Sequence, residues 1–343
     1  MSQRFVKVVL LVALLFCVEL SYGELRKTET ALDKAKTPTM EKQYPALPQG
    51  ITSFGATVAG DWLYVYGGHT GVAHSYSTAE QSNGFLRLNL KNPAKWKSLP
   101  SGPKMQGLGL VSYKGNVYRV GGFTAHNKKG EDHDLRSTAD FSMFDSKTMK
   151  WNALPDLPEG RSSHDAVVMG HHVYVVGGWK LDGEGESNWH DTAWRFDLND
   201  RHSKWQKIAA PKANKRAFVL AANNGMIYLI GGITEEGKPT RAVDIYNPKT
   251  DRWTAGPSLV GGGMDGFGAG ACTMNGKVFV TTMSGPVQVL NAKGTKWNTI
   301  KKLKHARFFH RMVTIDDKTM LLLGGTNPQE GKRLELDTVT WSD

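Results

Sequence analysis

The sequence predicts an all-β fold in which six copies of one four-stranded antiparallel unit pack radially into a closed ring. Three observations carry this reading. An apolar run ending in a Gly pair recurs at residues 63–68 (LYVYGG), 117–122 (VYRVGG), 173–178 (VYVVGG), 227–232 (IYLIGG) and 320–325 (MLLLGG), with a degraded copy at 278–285 (VFVTTMSG). A tryptophan follows every copy, at Trp96, Trp151, Trp205, Trp253, Trp297 and Trp341. No helical period competes, and 38 Gly with 10 Trp in 343 residues favour tight turns and aromatic anchors over a bundle.

Each strand of the unit has its own reason. The first is made of small residues, as in HDAVVM or FVLAAN, which suits a crowded axis. The second is the apolar run, and its Gly pair lets the chain turn with dihedrals that other residues resist, where neighbouring backbone comes close. The third lies between Gly pair and Trp, as in FLRLNL, DFSMFD, AWRFDL, AVDIYN or RLELD. The fourth opens at the Trp, which fills the gap between adjacent sheets, and Leu-Pro punctuation as in KWNALPDLP ends it. Such a sheet cannot bury both faces alone, so sheets stack in a circle that leaves no long edge open. The fifth copy lacks its Gly pair, and an irregular second strand is expected there. Residues 44–50 (YPALPQG) mimic the stretch after Trp151, which makes an N-terminal strand a candidate latch for the ring, while which end supplies the closing strand stays open on the sequence.

The succession of apolar run, Gly-Gly, spaced Tyr or Phe and then Trp resembles the kelch-repeat family over residues 44–343. The resemblance implies a six-bladed kelch-type β-propeller of four-stranded antiparallel blades. Kelch propellers include galactose oxidase-like copper enzymes and periplasmic sialic-acid epimerases, which this chain resembles in secretion and blade architecture.

Ahead of the repeats, residues 1–23 read as a signal peptide: Arg4 and Lys7, an apolar run over 8–18, then small Ser21 and Gly23. Residues 24–43 read as a polar linker. A secreted or periplasmic protein with no membrane span after cleavage is expected. Cys17 falls in the leader, which leaves Cys272 without an internal partner. The formal charge of +11 favours an acidic partner. Nucleic acid is not expected, because export removes the chain from it and no recognition helix is apparent.

In a four-stranded blade the connection between strands two and three and the approach to strand one lie on the same face. Residues after the Gly pairs and residues opening the first strands should therefore converge. This selects His69, Phe123, Arg161, Trp179, Arg216 and Arg307 as candidate ligand-binding residues. Three arginines around one mouth suit a carboxylate, sulfate or phosphate, and Phe123 and Trp179 suit a sugar ring. The competing structural reading has the arginines bridging blades through backbone carbonyls and acidic neighbours. His69, His74, His126, His133 and His190 lie in the longest loops and are candidate transition-metal ligands, although their spacings match no tight motif. No cofactor is expected. The stretch RSSHD cannot form a serine-hydrolase relay, because consecutive strand residues point to opposite faces.

These features favour a monomeric secreted binding or protein-interaction module for an anionic glycan or acidic protein. The alternative is a sugar-modifying enzyme of the sialic-acid epimerase type, in which Arg161 with His164, or Arg307 with His310, would grip the acid and move a proton. The copper-oxidase chemistry of the resemblance is disfavoured, since it needs a Tyr-Cys crosslink and Cys272 has no adjacent Tyr-His pair.

Overall fold

In the computed structural model the described residues are 44–183 and 185–342; the expected signal peptide (1–23) and linker (24–43) lie outside them. Every regular element among the described residues is a β-strand. Six sheets of four antiparallel strands form the blades of a ring; in the sixth, one of the four is the short Gly331–Lys332, which pairs with the end of the second strand and not with the third. Blade one runs Gly55–Ala59, Trp62–Tyr66, Phe85–Asn89 and Lys97–Ser98, each strand paired with the next. Each first strand packs on the first strand of the next blade, and Phe308–Thr314 of blade six packs on Gly55–Ala59, which closes the circle.

The hydrophobic core is divided by this geometry into one cluster per interface between blades. Tyr64, Tyr66 and Phe85 of blade one meet Val117 and Phe144 of blade two. Leu321 and Leu323 of blade six meet Phe54, Leu63 and Val65 of blade one. Because both faces of a second strand are covered by neighbours, Trp62–Tyr66 and Met226–Ile230 are buried from their second residue onward.

The tryptophans do more than fill space. The indole Nε1–H of Trp151 donates to Pro100 O at 2.9 Å, and that of Trp205 to Pro155 O at 2.9 Å. Trp253 donates to Ala209 O at 2.7 Å and Trp297 to Pro257 O at 2.9 Å. Each bond reaches the end of the previous blade's fourth strand, so every indole is both wedge and pin. Trp96 makes the same bond to Pro45 O, at 3.1 Å. Residues 44–50 therefore stand where the end of a fourth strand stands in the other blades, and Leu47 N–H donating to Leu334 O at 2.8 Å ties them to blade six. The N-terminal side closes the ring.

Two expectations are corrected. Trp341 does not open a fourth strand: it follows the third strand of blade six, which is Asp337–Thr340 where RLELD (333–337) is expected, and packs edge-on against Phe279 of blade five at 5.9 Å. The repeat spacing concealed this, because the last unit lacks the turn between third and fourth strands. The second strand of blade five, Lys277–Thr281, is regular, and the irregularity falls between its third and fourth strands, at Val287/Gln288.

The Gly pairs act as anticipated. In blade four a Cβ on Gly231 would sit 2.3 Å from Gly266 O, and Gly231 and Gly232 have φ of +71° and +98°. Gly232 N–H then donates to Gly266 O at 2.7 Å, joining blade four to blade five. On the outside of the ring, Lys97, Lys150, Lys207, Arg252 and Lys302 are exposed on the fourth strands. Charge on an edge strand discourages pairing with other chains. Part of the basic excess thus has a structural use.

Candidate functional site on the loop face

Four lead-in residues open each blade, overlapping the start of the first strand in blade six and lying ahead of it in the others, and each of the four places has its own task. The first place is held by Ile51, Met105, Arg161, Lys215, Gly266 and Arg307. Its carbonyl accepts from the second glycine of the previous blade in five of the six blades, as in Gly122 N–H to Arg161 O at 2.8 Å and Gly325 N–H to Ile51 O at 2.9 Å. The second place pairs with the residue just after the blade's own Gly pair: Thr52 with His69, Gln106 with Phe123, Ser162 with Trp179 and Arg216 with Ile233. The predicted convergence of these two sets is therefore a set of short antiparallel bridges.

The third place forms a ring around the axis. Ser53, Gly107, Ser163, Ala217, Gly268 and Phe309 all have φ between +49° and +62°. From Gly107 onward each N–H donates to the carbonyl of its counterpart one blade back, at 2.7–2.9 Å. The fourth place (Phe54, Leu108, His164, Phe218, Ala269, His310) wedges between neighbouring Gly pairs. A Cβ on Gly121 or Gly178 would strike His164, just as one on Gly177 or Gly232 would strike Phe218.

Arg311 follows in blade six and crosses the axis. Its Nε donates to Phe54 O at 2.8 Å, its Nη2 to Leu108 O at 3.2 Å, and its Nη1 to Asp165 Oδ1 at 3.0 Å. Asp165 Oδ2 in turn accepts Leu220 N–H at 2.8 Å. One guanidinium thus links blades six, one, two and three, and through Asp165 blade four. Beyond this plug, between the first strands, the axial channel encloses about 310 Å³.

Above the ring the loops of blades one to three form a single wall. Gln81 holds Ala125 at both ends, Nε2–H to O and N–H to Oε1, each at 2.8 Å. Asn127 Nδ2–H donates to Tyr76 O at 2.7 Å. Ser137 and Leu181 join the hairpins of blades two and three, Ser137 N–H to Leu181 O at 2.9 Å and Leu181 N–H to Ser137 Oγ at 3.0 Å. Blade five contributes only the short connection 282–285, so the wall is one-sided.

The predicted site residues separate into two groups. Arg161 and Arg307 have no exposed surface. Arg161 donates to Gly177 O at 2.6 Å, Thr192 O at 3.0 Å and Thr192 Oγ1 at 2.5 Å. Arg307 pairs with Asp337 and lies 3.4 Å from Gly324 O. Burial lowers both guanidinium pKa values to about 10. His164 and His310 are also buried; His310 Nε2 lies 2.5 Å from Thr281 Oγ1, and burial brings its pKa down to about 3. Burial, with Arg161 next in effect, holds His164 well below the ordinary imidazole value.

Arg216 belongs to the other group. Its guanidinium lies 4.1 Å from the centre of the Trp179 ring and 5.4 Å from that of Trp189. Phe123 is covered by Tyr76, ring centres 6.0 Å apart, and Tyr76 also meets His69 at 5.1 Å and His133 at 5.5 Å. The Tyr76 phenol is raised by burial and drawn back by Arg216, which places these two residues within electrostatic reach. His69, Phe123, Trp179 and Arg216 are therefore gathered into one aromatic cluster around Tyr76, which the sequence reading did not select. The buried Arg216 Nε–H and Trp179 Nε1–H have no acceptor among the described residues.

His69 and His133 share Tyr76, but the five loop histidines do not gather around one point. His69 Nε2–H donates to Ser75 O at 2.8 Å, and His190 Nε2–H to Gly160 O at 3.0 Å. His74, His126 and His133 are exposed. Among the described residues no three metal-ligating side chains of this set stand together. Cys272 is a free, buried thiol whose pKa burial pushes up to about 12.

With this geometry in place, the class of protein is plain: the chain is a β-propeller of kelch repeats. The Kelch motif matches residues 160–212 and 216–260, which cover most of blades three and four. Kelch-like protein 36 of Rattus norvegicus is 31% identical over 120 residues, 35% of this chain and 19% of that protein. Kelch repeat and BTB domain-containing protein 12 of Danio rerio is 28% identical over 183 residues, 50% of this chain and 28% of that protein. The match thus spans between 19% and 28% of these curated relatives. The solved structure of YjhT aligns over 88% of this chain and 97% of its own, with a TM-score of 0.71 and 16% identity, a likeness of fold.

Proposed function

We propose that this kelch propeller is an exported binding module whose loop face takes an anionic partner, an acidic protein or a carboxylated glycan, with Arg216 receiving the carboxylate. The observation that supports this most is the mounting of Arg216. Of the three arginines expected at the mouth, it is the one that is partly exposed, with its guanidinium stacked on two indoles and free of an acidic partner among the described residues. Stacking on indole keeps the fork of donors planar and oriented, which favours a two-point grip on a carboxylate. The wall of blades one to three bounds the site on one side, and the low side at blade five leaves room for a long ligand to enter.

The test compares retention on poly-glutamate and on polygalacturonate for the unaltered chain and for Arg216→Met. Binding that weakens with salt, and weakens at least about tenfold in Arg216→Met while the melting temperature holds, is expected; tenfold is about 1.4 kcal/mol. Equal retention by Arg216→Met would overturn the assignment. A Lys97→Gln, Lys302→Gln variant serves as control, because exposed edge lysines attract polyanions without a site.

A further inference from the structure

We propose that the face of blade three opposite the loops holds one divalent first-row transition ion, of which zinc is the probe, through His171, His172 and Asp197. One potential ligand atom from each of the three lies within 4.8 Å of the others, the sole such group of three among the described residues. His171 Nε2 is 3.8 Å from Asp197 Oδ2, and the two imidazole centres are 4.1 Å apart. The donors sit on rigid elements: His172 opens the second strand, Asp197 ends the third, and the two are direct partners in the ladder. His171 occupies the tight turn just before.

The repeat supplies an internal control. At the end of a third strand the side chain caps the following turn: Asn89 accepts Lys91 N–H, Asp145 accepts Lys147 N–H and Asn247 accepts Lys249 N–H, each at 2.9 Å. Asp197 does this with Oδ1, accepting Asn199 N–H at 2.9 Å. The turn therefore needs one oxygen, which asparagine supplies equally well in two other blades. Oδ2 is left over, and it is the oxygen near His171. The two positions filled by His171 and His172 hold Asp61 and Trp62, Gly115 and Asn116, Gly225 and Met226, and Gly276 and Lys277 in blades one, two, four and five. Neither imidazole is required by the fold.

Two imidazoles and one carboxylate with open positions form a donor set for zinc, copper, nickel or iron, whose affinity for nitrogen exceeds that of magnesium or calcium. The three residues are partly to well exposed, so an ion and its remaining waters have access. The cation facing the group is Arg195 on the third strand, whose Nε–H is bound to Gln206 Oε1 at 3.0 Å.

Equilibrium dialysis of the full chain against zinc should give one ion per chain with micromolar affinity, and cobalt should give a visible absorption band with nitrogen-ligand character. Asp197→Asn keeps the turn cap and is expected to lose at least about tenfold in affinity. His171→Gly with His172→Asn, the residues blade two uses, should abolish saturable uptake at unchanged melting temperature, whereas His74→Asn with His126→Asn should leave it intact. No saturable zinc in the unaltered chain, or full stoichiometry in the His171→Gly, His172→Asn variant, would overturn the site.

Discussion

Arg161 and Arg307 stand first in the lead-ins of blades three and six, and Arg216 stands second in the lead-in of blade four. A single residue separates the two positions, and in extended backbone one residue turns a side chain to the opposite side. At the first place the side chain turns into its own blade. Lys215, the residue of blade four that truly corresponds to Arg161, shows the same behaviour with its Nζ 2.6 Å from Asp244 Oδ2. At the second place the side chain faces the loop wall, where Arg216 finds indoles in place of carbonyls. The same residue type is thus mortar in one register and a displayed group in the next.

The largest effect should come from the buried members of the pair. Arg307→Met leaves the Asp337 carboxylate, 15% exposed, without its cation, and Arg161→Met strips three acceptors of their donor. Each is expected to cost about 3–5 kcal/mol, the range for breaking a buried pair, seen as a lower urea midpoint. Arg216→Met should move that midpoint little. If the three substitutions destabilise alike, the division by register is wrong.

Next in size is an acid effect at the fourth place. His310, and His164 by direction, have folded pKa values below the ordinary 6.5 because burial disfavours the imidazolium. Above about 6.5 both folded and unfolded chains carry neutral rings and stability is independent of these groups. As pH falls from there toward about 3, the unfolded chain takes up protons that the folded one refuses, so stability declines. His164→Phe adopts the residue that blades one and four use at that place. It is expected to lessen the fall in melting temperature between neutral and mildly acid buffer, and an unchanged fall would show that His164 is not a source of it. The smallest effect is local: Trp205→Phe keeps most of the wedge but removes the donor to Pro155 O, for a loss of about 1 kcal/mol. A loss near zero in the same urea titration would mean the indole pins add nothing beyond packing.

Much of the architecture was readable from the repeats, because Gly pairs and tryptophans mark strand ends with little ambiguity. Where the last unit was shortened, the spacing misled, and Trp341 fell one strand early. The site was harder. His69, Phe123, Trp179 and Arg216 converge as expected, yet Arg161 and Arg307 were grouped with Arg216 by residue type although their register differs. A marker was present: the wedge residue, His164, Phe218 or His310, lies three residues after the first place, and counting back from it separates Arg161 and Arg307 from Arg216. Tyr76 lies inside a loop of no regular period, and its position depends on Gln81, Asn127 and a neighbouring blade. Arg311 reads as one more strand residue until the first strands are brought around a common axis. No local pattern announces a side chain that reaches across a circle.

Closure of the ring at blade six has a consequence for folding. Residues 44–50 precede every blade in the sequence, yet their partner Leu334 lies in the sixth, so the contact that closes the circle joins two very distant stretches. The clasp therefore depends on the presence of the sixth blade. Contacts so remote in sequence raise the contact order of the whole fold, and folds dominated by such contacts reach the native state slowly.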